Sequence, residues 1–279
     1  MTPLQTLHDI LKPDRLTAIV DVGANPIDGA PPYRYMLTEA LCRVTGFEPQ
    51  TEALRALQHS AGPNETYLPH VIGTGAEATL HVTHAPGMTS LLRPDPARLA
   101  MFERFTQSGR VVATQAVATH RLDDLAEVEA IDFLKMDVQG AEGDVLTGVA
   151  RKLKTCVAVL TEVSFVPLYE GQPAFGEIDT QLRGLGFIPH CFAECKLWPL
   201  ATGSALTQTD PHQLLEADIL YIRDPVRYMA PEQWKHLALV AHYVCGSFDL
   251  AMRAIQMLVQ MGALSAEAPA HYKAILKRA

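Results

Sequence analysis

Apolar positions along the chain follow two alternating periods. Thr17–Val22 is a short, almost wholly apolar run, the pattern of a strand buried on both faces of a parallel sheet. Val44–Phe47, Thr66–Ile72, Ile131–Met136 and Val157–Val163 read as further strands, with Phe187–Leu197 and Ile219–Ile222 closing the set. Helical spacing recurs between them. From Leu4 to Lys12 the stripe is Leu4, Leu7, Ile10 and Leu11, and Pro13 ends it; Tyr33 to about Arg43, Thr51–His59, Ala141–Leu153 and Phe175–Leu185 follow. Strands alternating with helices predict an α/β fold, a doubly wound and mostly parallel sheet with helices on both faces.

The alternation breaks between about residues 76 and 120. Thr79–Thr83 alternates with a period of two, Pro86-Gly87 signals a turn and Pro94–Gln107 reads as helix. Arg110–His120 is strand-like, with Val111, Ala113, Gln115, Val117 and Thr119 on one face, so this block is a β-rich insertion. After Asp224-Pro225 the character changes again. Glu232–Tyr243 and Phe248–Met261 are helical runs joined at Gly246-Ser247, and Ala270–Lys277 is a third. The pattern is that of one helical-repeat unit, and one copy does not make an array. The expected organisation is a domain over 1–225 and a helical extension over 226–279. That extension packs on the main domain, or on a second copy as a homodimer, in preference to forming a partner-binding module.

Composition narrows the function. The 279 residues are 48% apolar and 19% charged, with a formal charge of -8. A chain binding nucleic-acid phosphates would carry a basic footprint, so a small-molecule site is expected and no nucleic acid. The five cysteines (Cys42, Cys156, Cys191, Cys195 and Cys245) lack the spacing of zinc or redox motifs and read as reduced thiols. No signal pattern opens the chain and no run nears the roughly 18 apolar residues of a membrane span, so a cytoplasmic location is expected.

Candidate chemistry collects at the ends of strands, where ligands of open α/β sheets bind. The first candidate is Asp21-Val22-Gly23-Ala24-Asn25: the glycine lets backbone approach a ligand, and Asp21 could meet the ammonium group of an amino-acid ligand. Glu48 ends the second strand, where an acidic residue reaches the hydroxyls of a ribose. The dinucleotide fingerprint GxGxxG is absent, since the chain reads Gly23-Ala24-Asn25-Pro26-Ile27-Asp28-Gly29. A nucleoside without phosphates is therefore favoured over a dinucleotide, and S-adenosylmethionine over NAD. Asp137, in the string from Phe133 to Glu142, is delivered to the same rim; Glu142 suits a capping role or a functional one equally.

The strings IVDVGAN, GFEPQ, TSLL and FLKMDVQGAE, in that order, resemble the FkbM-type methyltransferases over about Thr17 to Val163. The resemblance implies a Rossmann-like sheet, S-adenosyl-L-methionine as cofactor, and methyl transfer to a hydroxyl of a sugar, polyketide or related small-molecule or glycan acceptor. It implies that Asp21, Gly23 and Asn25 hold the methionine part and Glu48 the ribose, that Asp137 sits beside the reacting centre, and that Thr89-Ser90 lie near the pocket; Gly73 joins the cofactor-binding set. The loop from Pro26 to Tyr33 is richer in proline than the family's asparagine-x-glycine form.

An alcohol needs a general base within hydrogen-bond reach before it attacks. The candidates are Asp137, Glu162, His84 and His120. His81 and His84 with His120 and Asp137 could ligate a metal, but a strand would place His81 and His84 on opposite faces, so no metal is expected. Two rival readings are a non-catalytic S-adenosylmethionine-binding regulator or scaffold acting through its C-terminal helices, and a nucleotide-dependent oxidoreductase.

Overall fold

The six residues of β1 (Thr17–Val22) are all buried, because the strand lies inside a sheet with layers on both sides. A computed structural model of the chain describes residues 6–25, 29–202 and 212–277. Leu4 and the loop residues Pro26, Ile27 and Asp28 lie outside the described residues.

The main sheet holds β1, β2 (Cys42–Phe47), β3 (Glu65–Leu68), β7 (Phe133–Met136), β8 (Ala158–Ser164), β9 (Phe187–Trp198) and β10 (Gln213–Arg223). Their order is β3-β2-β1-β7-β8-β10-β9, parallel except that β10 runs antiparallel to both neighbours. The chain winds outward in both directions from the β1/β7 junction, which is the topological switch point of a doubly wound fold. A second sheet, β4 (Val71–Ile72), β5 (Glu77–Thr83) and β6 (Val111–His120), forms the expected β-rich insertion in the order β4-β6-β5.

The helices are α1 (Leu7–Leu11), α2 (Arg34–Thr38), α3 (Thr51–Ser60), α4 (Pro96–Leu99), α5 (Phe105–Ser108), α6 (Glu142–Gly148), α7 (Phe175–Gly184), α8 (Pro231–Tyr243), α9 (Phe248–Gln260) and α10 (Ala268–Leu276). Side-chain alternation splits the core into two layers. Val20, Leu134 and Met136 join α6 and α7 on one face. Ile19 and Phe133 join Leu7 and Leu11 of α1, Trp234 and Leu237 of α8, and Ala254 and Ile255 of α9 on the other. The helices after Pro231 thus share one continuous apolar cluster with the sheet. Polar links reinforce it: Thr17 Oγ1 lies 3.1 Å from His236 Nδ1, and Lys235 Nζ donates to the Lys12 carbonyl at 3.1 Å. No helix among the described residues is long and apolar enough to cross a membrane.

Four expected elements change. The strand Thr66–Ile72 divides into β3 and β4, in different sheets, because Pro69 has no N–H for the ladder and the chain turns away to pair Val71 with Thr119. The helix expected to reach Arg43 stops at Thr38: Ala40 is left-handed (φ 52°), and Cys42 is drawn into the sheet opposite Thr17. The helix Pro94–Gln107 becomes α4 and α5, since Arg104 is left-handed (φ 68°) and Phe102 is taken up in a bridge to Leu200. Ala141–Leu153 becomes α6 and a separate single turn, Lys152–Lys154. In β6 the expected inner face is only partly realised, because Ala113 and Gln115 lie on the exposed part of a projecting hairpin.

A chain ending at Pro225 would uncover the apolar face that α8 and α9 bury, so it is expected to lose its cooperative thermal transition and its near-ultraviolet circular dichroism. A truncated chain that melts cooperatively with native dichroism would show the layer to be dispensable.

Candidate active site

Parallel register brings four candidate residues to one level. Val22 pairs with Phe47 and with Met136, and Met136 pairs with Thr161. The next residue along each strand is therefore Gly23, Glu48, Asp137 and Glu162. All four line a cavity of about 840 Å³ above the switch point, within the roughly 300–1,000 Å³ of small-molecule sites.

Gly23 has φ +80°, and a Cβ there would lie 1.9 Å from the Asp137 carbonyl oxygen, so a side chain is excluded on both grounds. Its N–H donates to the Phe47 carbonyl at 3.1 Å, and the Asp137 N–H donates to the Val22 carbonyl at 3.0 Å. Glu48 is buried; its Oε1 accepts from the Gln50 N–H at 2.7 Å, and burial holds its pKa above the usual range. Asn25 lines the cavity beside it.

The turn after β7 is a second fixed feature. Gln139 and Gly140 are both left-handed (φ 54° and 97°). Glu142 folds back so that Oε1 accepts from the N–H groups of Val138 at 3.0 Å and Gly140 at 3.2 Å. These two bonds brace the turn. Burial raises its pKa to about 7, against the lowering effect of those N–H groups. Gln139 sits at the centre of the site: Nε2 donates to Asp137 Oδ1 at 2.9 Å and lies 3.4 Å from Glu162 Oε2, while Oε1 accepts from the Tyr169 hydroxyl at 3.2 Å. Ser90 lines the cavity but spends its hydroxyl on the Gln139 carbonyl at 2.7 Å, which makes it a support. Thr89 lines the same wall, its Oγ1 accepting from the Thr83 N–H at 3.3 Å.

Glu162 is 4% exposed and meets Lys196 Nζ at 2.6 Å. Burial raises its pKa well above the usual range, and the charges of Asp137 and Glu216 add to the rise. Burial pulls the Lys196 pKa down, but the Glu162 carboxylate, with Asp218 and Asp137 adding, holds it above its ordinary value. Lys196 reaches this position through a register shift: Leu214 pairs with Leu197, but Glu216 pairs with Lys196. The extra residue, Leu215, is turned into a separate apolar cluster with Leu99, Phe102 and Leu168. Strand side chains alternate in direction, so this bulge lets Glu216 share the cavity with Lys196.

The other sequence candidates lie elsewhere. Asp21 sits outside the cavity lining, with Oδ2 accepting from the Tyr33 hydroxyl at 2.6 Å and Oδ1 held by Lys135 Nζ at 3.1 Å. Gly73 is also outside the lining and packs against Thr119. His84 is exposed and off the cavity. His120 is off it too, with its ring 4.5 Å from that of His70, which does line the wall. Oxygen atoms of Asp137, Glu142 and Glu162 lie within 4.8 Å of one another. Backbone N–H groups and Lys196 already engage Glu142 and Glu162. Sequence reading did not single out His70, Lys196, Trp198 or Glu216. The last three lie on the closing strands, where no local motif marks a site and only the pairing of β9 with β10 brings them in.

A model of the FkbM methyltransferase domain matches residues 21–189, more than half of the chain. The chain belongs to the FkbM methyltransferase family. Within this FkbM domain the match begins at Asp21 and ends inside β9, so Lys196, Trp198 and Glu216 fall beyond it. The 2-O-methyltransferase NoeI of Sinorhizobium fredii (strain NBRC 101917 / NGR234) is 29% identical over 173 residues, 58% of this chain and 68% of that one. Among solved structures, the chain is similar to the FkbM methyltransferase of Methylobacillus flagellatus KT, with 14% identity, a TM-score of 0.39, and 78% of this chain and 50% of that one covered. It is also similar to magnesium protoporphyrin IX methyltransferase ChlM of Synechocystis PCC 6803 with bound SAM, with 12% identity, a TM-score of 0.37, and 75% and 70% covered.

The buried Glu142 carboxyl makes stability depend on pH. Folded, it holds its proton to about pH 7; unfolded, it releases it near the ordinary glutamate value of 4.5. The folded chain thus binds the extra proton between these values, and stability falls as pH rises through that window. Glu142→Gln keeps the carbonyl acceptor without the titration. Urea melts should show it matching wild type near pH 4.5 and exceeding it by about 1–3 kcal/mol above pH 7.

Proposed function

We propose that this methyltransferase moves the methyl group of S-adenosylmethionine to a hydroxyl oxygen of a sugar, polyketide or related small molecule. The alignment of Gly23, Glu48, Asp137 and Glu162 around one cavity carries this reading. Glu48 stands at the end of the second strand with Oε1 taken by Gln50, and its other oxygen serves the ribose hydroxyls. Phe47, Ile72 and Val138 supply apolar walls suited to a base. Gly23 and Asn25 carry the backbone past the amino-acid end, while Asp21 stiffens that loop from below through Tyr33 and Lys135.

When bound, the cofactor supplies a methyl group on a positively charged sulfur, already activated for displacement. The chain's part is to align the acceptor oxygen and remove its proton. Asp137 takes that proton, because it faces the cavity and Gln139 fixes its orientation by holding Oδ1. Glu162, paired with Lys196, holds the far side of the same polar end and accepts from acceptor hydroxyls. The acidic end also favours the positive sulfur electrostatically. The similarity to NoeI, a 2-O-methyltransferase, supports oxygen as the atom methylated.

Calorimetry on the purified chain should show micromolar binding of S-adenosylmethionine and none of NAD. Glu48→Ala is expected to weaken it about tenfold or more, since a buried acceptor of two hydroxyl donors is lost. Asp137→Asn should keep binding within a few-fold yet lower methyl transfer to a hydroxylated acceptor by roughly 100-fold or more. A folded chain that binds no S-adenosylmethionine would sink the proposal.

A further inference from the structure

The cavity has a second end, built from segments far apart in sequence. Met88 follows the turn after β5, Arg104 and Phe105 open α5, and Trp198 ends β9; all four line the wall. The Phe102–Leu200 bridge and the hydrogen bond from the Ala201 N–H to the Met101 carbonyl at 2.8 Å tie the insertion to the end of β9. That tie sets the Trp198 ring 5.0 Å from Phe105, which in turn lies 5.4 Å from the buried Phe102. Trp198 stays 38% exposed, so the ladder rests on a packed base and leaves aromatic surface open at the cavity.

Arg104 stands exposed at the edge of this platform with φ +68°, in a left-handed conformation that is strained for a non-glycine residue. Its side chain makes no capping bond to α5. It forms no ion pair or side-chain hydrogen bond among the described residues. The other cation lining the cavity, Lys196, is engaged by Glu162 at 2.6 Å. Glycine would adopt this backbone without strain, yet the chain places its largest cation there. The cavity therefore presents three chemistries in sequence: carboxylates and an amide at Asp137, Gln139, Glu162 and Glu216, an aromatic platform, and an unneutralised guanidinium.

We infer that the acceptor is a polyhydroxylated ring carrying an anionic group, an acidic glycoside, with its ring on Trp198 and its anion on Arg104. The inference rests on the methyltransferase reading of the same cavity. Hydroxyls directed at the acidic end donate to Asp137 and Glu162, the apolar face of a pyranose covers the indole, and the guanidinium forks onto a carboxylate or sulfate. An acceptor lacking the anion forgoes the contact, leaves the exposed Arg104 to water and binds more weakly.

The test uses the full chain saturated with S-adenosylhomocysteine and three calorimetric probes. They are methyl β-glucoside, methyl β-glucuronoside, and the glucoside carrying a sulfate ester in place of the carboxylate. The charged probes are expected to bind about tenfold tighter than the neutral one, the size of a charge-assisted contact; comparing them shows whether carboxylate or sulfate is preferred. Arg104→Gly should abolish the difference while its thermal midpoint equals or exceeds that of wild type, because the strain is relieved. Trp198→Ala should weaken all three probes and keep their ratio, with Trp198→Phe restoring most of the loss. Equal affinities for charged and neutral probes, no binding of any probe, or a charge preference untouched by Arg104→Gly would each overturn the inference. S-adenosylmethionine binding on the same samples separates the failures. Its absence removes the methyltransferase reading; its presence with any of those outcomes removes only the acidic acceptor.

Discussion

Where β1 passes into its loop, the backbone at Gly23 runs against the carbonyl of Asp137 with no room for a single carbon between them. The two central strands consequently leave the sheet side by side, each donating an N–H to a neighbouring strand end as it goes. This close passage makes the switch point a shared floor instead of two diverging loops. Glu48 and Glu162 are carried to the same level by register alone, since each follows a strand residue already paired across the sheet. Remove the close passage and the residues remain, but their common origin is lost.

Above that floor the charges are arranged by what the protein itself supplies. Asp21 faces down to Tyr33 and Lys135, so its charge stabilises the loop and is hidden from the cavity. Glu142 is turned inward by backbone N–H groups, and Glu162 is matched by Lys196. Asp137, held at one oxygen by Gln139, lines the acidic end of the cavity. Four acids close together in sequence space or on adjacent strands thus have different duties, set by which donor reaches each first.

Much of this was legible in the order of residues. The buried run of β1, the glycine after Val22 and the acids ending three strands all follow from periodicity and from where open sheets bind ligands, and the meeting of Gly23, Glu48 and Asp137 at one rim could be placed before any coordinates. What escaped was set by tertiary pairing. Pro69 splits a strand because Val71 and Ile72 find a different partner in β6, and Cys42 leaves a helical pattern because Thr17 waits across the sheet. His84 looked like a base because histidine suits the task, but it lies just past the end of β5, at the surface. Asp21 looked like a ligand group because it precedes the glycine, yet alternation points it at the opposite layer. Lys196 and Glu216 gave no signal at all, since their meeting depends on a bulge at Leu215.

That bulge has a bearing on how the molecule behaves among its own copies. β9 is the outer strand of the seven-stranded sheet, twelve residues long, with one side of its backbone left unpaired by the sheet. A straight strand of this length is an inviting template for another chain. Three register shifts along the β9–β10 pair twist the ribbon, and Pro189 withholds an N–H near its start. The irregular geometry that recruits a lysine and a glutamate to the cavity therefore also makes the sheet's margin a poor surface for edge-to-edge assembly, and straightening it to improve packing would trade away colloidal behaviour along with chemistry.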